Sequence, residues 1–449
     1  MKIHFISIGG SIMHQLALVL KSEGHTVSGS DDEIYEPSRS ILQKAGLLPT
    51  KMGWNADNIT SDLDCVILGM HAKKDNPELK KAQKLKIPIY SYPEYIFRHA
   101  ADKQRVVVAG SHGKTTITAA LMHVFKELKK DFDYLVGARL EGFAQSVKLS
   151  DASMMVLEGD EYLSSALHRV PKIHFYKPQV ALLSGIAWDH MNVFPTFKNY
   201  KEQFSIFLNS MAADSVIIYN EEDENVCEVV EKATHLTKIA YKTPKFTQES
   251  GKVSWQTEHG DIPLHIFGQH NLQNLAGAQK VCEQIGISSK DFFKTIQSFK
   301  GASKRLDLIG ENEHSVIFRD FAHAPSKVKA TTEAMSSLYK KRRLVACFEL
   351  HTYSSLNIKF LPQYKGALAS AEKAVVYFDP HTLDIKKLPA LDVDTVKACF
   401  ERDDLVVVNS QKQLLAYLKR FNWKNTNLLL MSSGKFGGVK NEDIVNFVI

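Results

Sequence analysis

Short β-branched runs alternate with helix-like stretches along the whole chain, and this alternation restricts the architectures open to it. KIHFISI (2–8), DCVILG (64–69), RVVVAG (105–110), SMMVLEG (153–159), QVALLSG (179–185), SVIIYN (215–220), SVIFRD (315–320), RLVACFEL (343–350) and NLLLMSS (427–433) are near-continuous apolar runs. Strands in parallel sheets covered on both faces read this way, whereas half-exposed strands alternate. Between them lie helix-like segments at 13–23, 115–129, 271–285 and 326–339. The expected class is α/β with parallel sheets.

At 449 residues there is room for about three domains. A charged stretch, Ala101 to Arg105, precedes a new strand, and Phe299 to Ala302 precedes another α/β series. The expected blocks are 1–103, 104–299 and 300–449. Segment 242–264, polar and punctuated by Pro244, Gly251, Gly260 and Pro263, reads as a small antiparallel excursion within the middle block. An apolar share of 44% against 24% charged excludes a disordered chain. No apolar run reaches the roughly 18 residues of a membrane span, and MKIHFISIGG reads as an immediate strand rather than a signal peptide. Net charge is +6, with one dense basic run, Lys340 to Arg343. That is too little for a nucleic-acid binder but suits small anionic substrates. The five cysteines form no C-x-x-C or zinc spacing, as expected of reduced residues in a cytosolic protein.

The most specific motif is GSHGKTT, from Gly110, Ser111, His112 and Gly113 to Lys114, Thr115 and Thr116. It joins a buried strand to a helix. Glycine-loop N–H groups and the helix start can hold phosphate oxygens, with Lys114 on the β- and γ-phosphates and Thr115 on Mg²⁺. Val108 stands where the usual loop has its first Gly, so this is a shorter variant. Glu158, closing the strand before Gly159-Asp160-Glu161-Tyr162, lies at the end of a strand where α/β sheets bind ligands. Glu158 or Glu161 could therefore meet Mg²⁺–ATP. Asp189-His190, after another buried strand, offers a second metal ligand. Near the N-terminus, Gly9, Gly10 and Ser11 follow the first strand, and Ser30 and Asp31 end the second. Ser7 and Ile12 break G-x-G-x-x-G, so the loop suggests a diphosphate at a helix start, with Asp31 near a ribose.

Together these motifs resemble the Mur ligase family, ATP-dependent amide-forming enzymes of peptidoglycan assembly. The resemblance covers essentially the whole chain. It is carried by GSHGKTT, EGDEY (158–162), the DH of SGIAWDHMNVFP (184–195), GQHNLQN (268–274), KRLDL (304–308), RDFAHAPS (319–326) and MSSGKFGG (431–438). It implies three domains, each with a mostly parallel sheet: Rossmann-like N-terminal, P-loop central ATPase and Rossmann-like C-terminal. It also implies ATP and Mg²⁺ as cofactors. Lys114, Glu158, His190 and Arg305 would be catalytic, with Thr115, Glu158 and His190 on metal. Asn271, Asn274, Arg305 and Asp320 would join the phosphate loop around ATP. Gly9, Gly10, Ser11, Ser30, Asp31 and His71 would hold a UDP-sugar, and His323, His351 and Ser433 the acceptor. Read alone, Asn271 equally suits a helix cap.

Two family branches use UDP-N-acetylmuramate. One adds L-alanine, and the other adds the tripeptide L-alanyl-γ-D-glutamyl-meso-diaminopimelate in peptidoglycan recycling. Asp75-Asn76-Pro77-Glu78, Gln203-Phe204, FAHAP (321–325) and MSSGKFGG lean toward the tripeptide, which is the expected acceptor, with L-alanine the alternative. The resemblance implies a cytoplasmic bacterial enzyme, monomer or homodimer, partnered by UDP-N-acetylmuramate and a murein peptide or L-alanine, with no nucleic acid and no membrane. Gly185 stands where relatives usually have Asn, Ala324 replaces a second His, and His351 falls where the tripeptide branch has an Arg suited to a carboxylate. An inactive nucleotide-binding regulatory protein, a dinucleotide oxidoreductase and a kinase are the rival readings. The first is opposed by the retained Lys114, Thr115, Glu158 and His190. The second explains neither GKTT nor the last domain.

Overall fold

The computed structural model describes residues 1–249, 251–302 and 305–449, so Lys304 of KRLDL lies outside the described residues. The class is α/β, with three mostly parallel sheets and a small antiparallel one. The chain forms two compact units, Met1–Ile186 with Lys198–Tyr241 and Gly277–Ser288, and Ala187–Phe197 with Lys242–Ala276 and Ser289–Ile449.

The first unit holds two sheets. Strands β1 (Lys2–Ile6), β2 (Thr26–Ser30), β3 (Cys65–Leu68) and β4 (Ile89–Ser91) are all parallel, in the order β2-β1-β3-β4. The order reverses beside β1, which places the loops after β1 and β3 at a switch point. The second sheet contains β5 (Gln104–Ala109), β6 (Asp133–Leu135), β7 (Val147–Lys148), β8 (Met154–Glu158), β9 (Val180–Leu183), β10 (Val216–Asn220) and β11 (Thr237–Tyr241). Its order is β11-β10-β9-β5-β8-β6-β7, antiparallel only at β7. β5, β8 and β9 lie together at the centre, and Val106 to Ala109, Val156, Leu157 and Ala181 to Leu183 are wholly buried. The near-continuous apolar runs follow from that double coverage.

The charged junction between the two sheets is held by one arginine. Arg105 is buried, and its guanidinium donates to the carbonyls of Ala100 (2.6 Å), Ala101 (2.9 Å), Lys103 (3.0 Å), Tyr176 (2.9 Å) and Lys177 (3.1 Å). It lies 5.3 Å from the centre of the Phe97 ring. The helix Tyr92–His99 before it starts with a capping box from Ser91 and Glu94. Beside the junction, buried Asp133 takes Lys103 (2.6 Å), His99 (3.2 Å) and Ser150 (2.6 Å).

In the second unit, β12 (Phe246–Glu249), β13 (Lys252–Thr257) and β14 (Gly260–Leu264) form an antiparallel sheet, as the polar segment suggests. It belongs to the same compact unit as the later residues, and Gln248 Nε2 donates to Ser337 Oγ at 2.8 Å. Strands β15 (Asp307–Glu311), β16 (Val316–Asp320), β17 (Arg343–Leu350), β18 (Lys373–Phe378), β19 (Val406–Val408) and β20 (Thr426–Met431) form the last sheet. Its order is β15-β16-β20-β17-β18-β19, antiparallel only at β15. Among the described residues, no helix is long and apolar enough to cross a membrane.

Arg105→Met removes every one of those donors, including the one to the buried Tyr176 carbonyl. Unfolding free energy should fall by about 3 kcal/mol. An unchanged denaturant midpoint would show that the junction does not depend on this residue.

Candidate active site

β5 ends at Ala109, and the loop turns on two glycines, Gly110 (φ 131°) and Gly113 (φ 79°), conformations that side chains disfavour. A Cβ on Gly110 would fall 2.3 Å from Ser184 Oγ. The loop is tied to the end of β9. Ser111 N donates to Gly185 O (2.9 Å), Ser184 N to Ala109 O (3.0 Å), and the Ser184 hydroxyl to His112 O. Gly185 has a local reason to depart from Asn. The His112 ring lies against it, and a Cβ there would sit 2.2 Å from His112 Cε1.

The helix Lys114–Glu127 starts at the end of this loop. The Lys114 ammonium donates to Gly110 O (2.5 Å) and Glu161 Oε2 (2.7 Å). Burial would lower its pKa, but Glu161 and Asp160 outweigh burial and raise it, so the charge persists. Glu161 is itself buried and accepts from Tyr200 OH (3.0 Å), which also bonds Ser111 Oγ (2.8 Å). The other acid has a separate place. Glu158 accepts from Thr115 Oγ1 (2.7 Å) through Oε1 and from Gly137 N (2.8 Å) through Oε2. The two acids left open as metal candidates thus divide the work, with Glu161 on the lysine and Glu158 on the threonine. Asp160 pairs with Lys172 at 2.5 Å.

Among the described residues, no three His, Cys, Asp or Glu side chains cluster as a protein-only metal site. The Thr115–Glu158 pair suits Mg²⁺ all the same. That ion prefers hard oxygens and is commonly held by one or two protein oxygens together with substrate phosphates and water.

At the end of β1, Ser7 (φ 70°) leads into Gly9 and Gly10, and the helix Ser11–Ser22 begins with no side-chain cap at Gly10. Its first-turn N–H groups are suited to a phosphate. Asp31 Oδ2 accepts from Gly9 N at 2.7 Å. Burial pushes the Asp31 carboxyl up to about 6, against the Gly9 hydrogen bond. The Ser30 hydroxyl is taken by buried Glu78, which also meets His4 (3.4 Å), Asn55 N (3.0 Å) and Asn58 Nδ2 (2.9 Å). Ser11 and His71 are exposed.

In the second unit, His190 has a positive φ of 72°, and its N–H donates to Asp189 Oδ1 at 3.0 Å. Asp189 Oδ2 lies 3.7 Å from Lys327 Nζ. Asn271 and Asn274 lie in the first turns of the helix Gln269–Gln284, both buried, and Asn271 Nδ2 donates to Phe267 O at 2.8 Å. Asp320 ends β16 and accepts from Leu306 N (2.8 Å) and Ala322 N (2.7 Å), while Arg305 lies over the Phe321 ring at 5.2 Å. Asp320 thereby fixes the residue next to Arg305. Burial, followed by Lys327, lowers the His323 pKa, so the ring is neutral at physiological pH. His323 Nδ1 is 2.8 Å from Phe321 O. Ala324 precedes the helix Pro325–Leu338 in an extended conformation.

The C-terminal motif closes over Glu349, which accepts from the Ser432 hydroxyl and from Phe436 N (2.8 Å). His351 Nδ1 is 3.9 Å from Glu349 Oε1, and a Cβ on Gly434 would fall 2.7 Å from that ring. Among the described residues, the buried Ser433 Oγ has no hydrogen-bond partner. Glu349, which organises the C-terminal loop, was not singled out as a site residue from the sequence, and Glu161 was raised as an Mg²⁺–ATP ligand rather than as the partner of Lys114. A carboxylate at the end of a buried strand run is the signal that marks Glu349.

A Mur ligase family, catalytic domain model matches residues 2–104, and a Mur ligase middle domain model matches residues 108–282. A curated relative, UDP-N-acetylmuramate–L-alanine ligase of Sulfurihydrogenibium sp., is 30% identical over 80% of this chain and 78% of its own. Among solved structures, UDP-N-acetylmuramate–alanine ligase of Thermotoga maritima aligns with a TM-score of 0.71 at 21% identity, covering 100% of this chain and 98% of its own. Murein peptide ligase of Psychrobacter arcticus aligns with a TM-score of 0.67 at 21% identity over 100% of both chains.

Two outcomes follow from this geometry. Gly185→Asn should force His112 from its place, with a stability loss of about 1–3 kcal/mol and a matching drop in ATP turnover. His112→Ala in the same chain should restore most of the stability, and a harmless Gly185→Asn would contradict the packing. The second concerns pH. Asp31 holds its proton more tightly folded than unfolded, so its contribution to stability is fullest below pH 3.8 and is lost as pH rises through about 6. Asp31→Asn should flatten that part of the curve of urea midpoint against pH.

Proposed function

Because the chain belongs to the Mur ligase family of ATP-dependent carbon–nitrogen ligases, we propose that it joins UDP-N-acetylmuramate to L-alanine. The observation that carries the ligase chemistry is the pairing of Lys114 with Glu161 and Thr115 with Glu158 at the ends of adjacent strands β5 and β8. Residues 1–103 bind the UDP-sugar through Gly9, Gly10, Ser11, Ser30, Asp31 and His71. Residues 104–299 bind ATP, and 300–449 close on the nucleotide and the amine. Thr115 and Glu158 would hold Mg²⁺, and His190 a second ion, and such ions would supply neutralisation of phosphate charge.

The lactyl carboxylate attacks the γ-phosphorus, its P–O bond to ADP breaks, and an acyl phosphate forms. The amine then attacks the activated carbonyl, loses a proton and expels phosphate. Lys114 and the loop N–H groups hold the β- and γ-phosphates, and Arg305 takes up charge on the transferring oxygens. Asn271, Asn274 and Asp320 position nucleotide and loop. His323, held neutral by burial, is placed to accept a hydrogen bond near the amine, with His351 and Ser433 beside the acceptor. The substrates, ATP and UDP-sugar, suit a cytoplasmic enzyme.

The acceptor reading moves from tripeptide to L-alanine for two reasons. The curated relative matched along most of its length bears the L-alanine ligase name. Two of the stretches that lean to the tripeptide also have packing roles. Asn76 caps the helix Pro77–Lys84 by accepting from Leu79 N (3.0 Å), Glu78 is buried beside His4, and Gln203 bonds within its own helix to Asn199 O (3.0 Å). The tripeptide remains the second reading because MSSGKFGG, which resembles that branch, wraps Glu349.

Phosphate release from ATP with UDP-N-acetylmuramate should require L-alanine, and the product mass should equal the sugar nucleotide plus one alanyl residue. Release with the tripeptide alone would establish the second reading. Lys114→Ala should lower turnover by about 10³-fold or more with the fold retained, and near-normal turnover would remove the phosphate-loop assignment.

A further inference from the structure

The helix that begins at the phosphate loop ends, at its other end, beside a second and basic concavity. This cavity of about 410 Å³ is lined by Lys126, Lys129, Lys130, Phe132, Phe143 and Lys148, among others. Asp131 is the one carboxylate in its wall, and it pairs with Lys148 at 2.8 Å. Lys126 donates to Gly142 O (3.1 Å) and lies 5.4 Å from the centre of the Phe143 ring. Among the described residues, Lys129 and Lys130 have no side-chain hydrogen bond or ion pair. Lys126, Lys129 and Lys130 thus line one hollow whose single carboxylate is paired with Lys148. Mutual repulsion makes such a cluster a site for anions.

Lysines at a helix C-terminus also interact favourably with the helix dipole. That accounts for Lys126, Lys129 and Lys130 but not for the opposite wall. Lys148 comes from β7, and Phe143 from the loop between β6 and β7. Phe125, Phe132, Tyr134 and Phe143 form an aromatic cluster, edge-to-face except for the tilted Phe132–Tyr134 pair, with Phe132 and Phe143 centroids 6.5 Å apart. Phe125, Phe132 and Tyr134 are buried, and Phe143, which lines the hollow, is half-buried. Gly142, at φ 80°, leaves the space that Lys126 fills, since a Cβ there would fall 2.4 Å from Lys126 Nζ.

We propose that this concavity binds a small anion carrying at least two negative charges next to a flat ring, the chemical class of a nucleoside phosphate. The ammonium groups would take the charges and Phe143 the ring face. The site is separate from the phosphate loop yet connected to it. The loop that supplies Gly142 and Phe143 also contains Gly137, whose N–H donates to Glu158. An occupant that shifts this loop should therefore change the KM for ATP. The binding claim does not rest on the proposed ligase reaction.

The test uses the full chain without added nucleotide, with Lys114→Ala as the control for any probe bound at the phosphate loop. The probe is 8-hydroxypyrene-1,3,6-trisulfonate, followed by fluorescence, with inorganic pyrophosphate as a ring-free competitor. Saturable binding with one site per chain is expected. The charge reversal Lys129→Glu with Lys130→Glu should weaken the probe by about tenfold or more, while Lys114→Ala leaves it unchanged. Both lysines are exposed, so the double variant should melt normally. Phe143→Ser should weaken the pyrene probe but not pyrophosphate. Absence of saturable binding, or binding lost in Lys114→Ala and kept in the charge reversal, would overturn the site. Indifference of the pyrene probe to Phe143→Ser would overturn its aromatic half.

Discussion

The ammonium of Lys114, fixed between Gly110 O and the buried Glu161, is the contact on which the phosphate-loop site depends. It needs a loop that turns through left-handed glycine conformations, and it needs β8 beside β5 so that an acid reaches it. Burial alone would favour a neutral amine. Glu161 prevents this, and Tyr200 and Ser111 hold Glu161 in turn. The site is therefore charged and ordered before any phosphate arrives, as electrostatic catalysis requires.

Neighbouring contacts separate functions that the sequence left merged. Glu158 and Glu161 stand close in the chain, yet one meets Thr115 and the other Lys114. β8 ends at Glu158, and the chain then turns, so the two side chains serve different partners. The same economy appears in the second unit, where Asp320 binds the backbone of Leu306, next to Arg305, and of Ala322, and Glu349 gathers the C-terminal motif. Carboxylates at strand ends anchor the loops that carry the expected ligand contacts.

Much of the fold was legible because buried parallel strands write themselves as unbroken apolar runs. All nine expected runs lie in strands. β4, β7 and β19, at sheet edges and two or three residues long, carry too few side chains to produce such a signal. The phosphate loop was legible because glycine spacing and Lys-Thr-Thr have a local backbone reason. The fit of Gly185 to the His112 ring was not, since it joins residues from two strand ends and appears in the sequence only as a departure from relatives. The roles of Asn76, Glu78 and Gln203 were likewise hidden. A residue that caps a helix or pairs in a core can look like a mark of specificity until its partners are seen.

The central claim is that ATP activates a carboxylate of the sugar nucleotide by phosphorylating it. The most direct measurement uses UDP-N-acetylmuramate labelled with oxygen-18 in its lactyl carboxylate, with mass analysis of the phosphate released during turnover with L-alanine. One labelled oxygen should be carried into inorganic phosphate for each amide formed, because the bridging oxygen of the acyl phosphate leaves with phosphorus. Amide formation with unlabelled phosphate would contradict it.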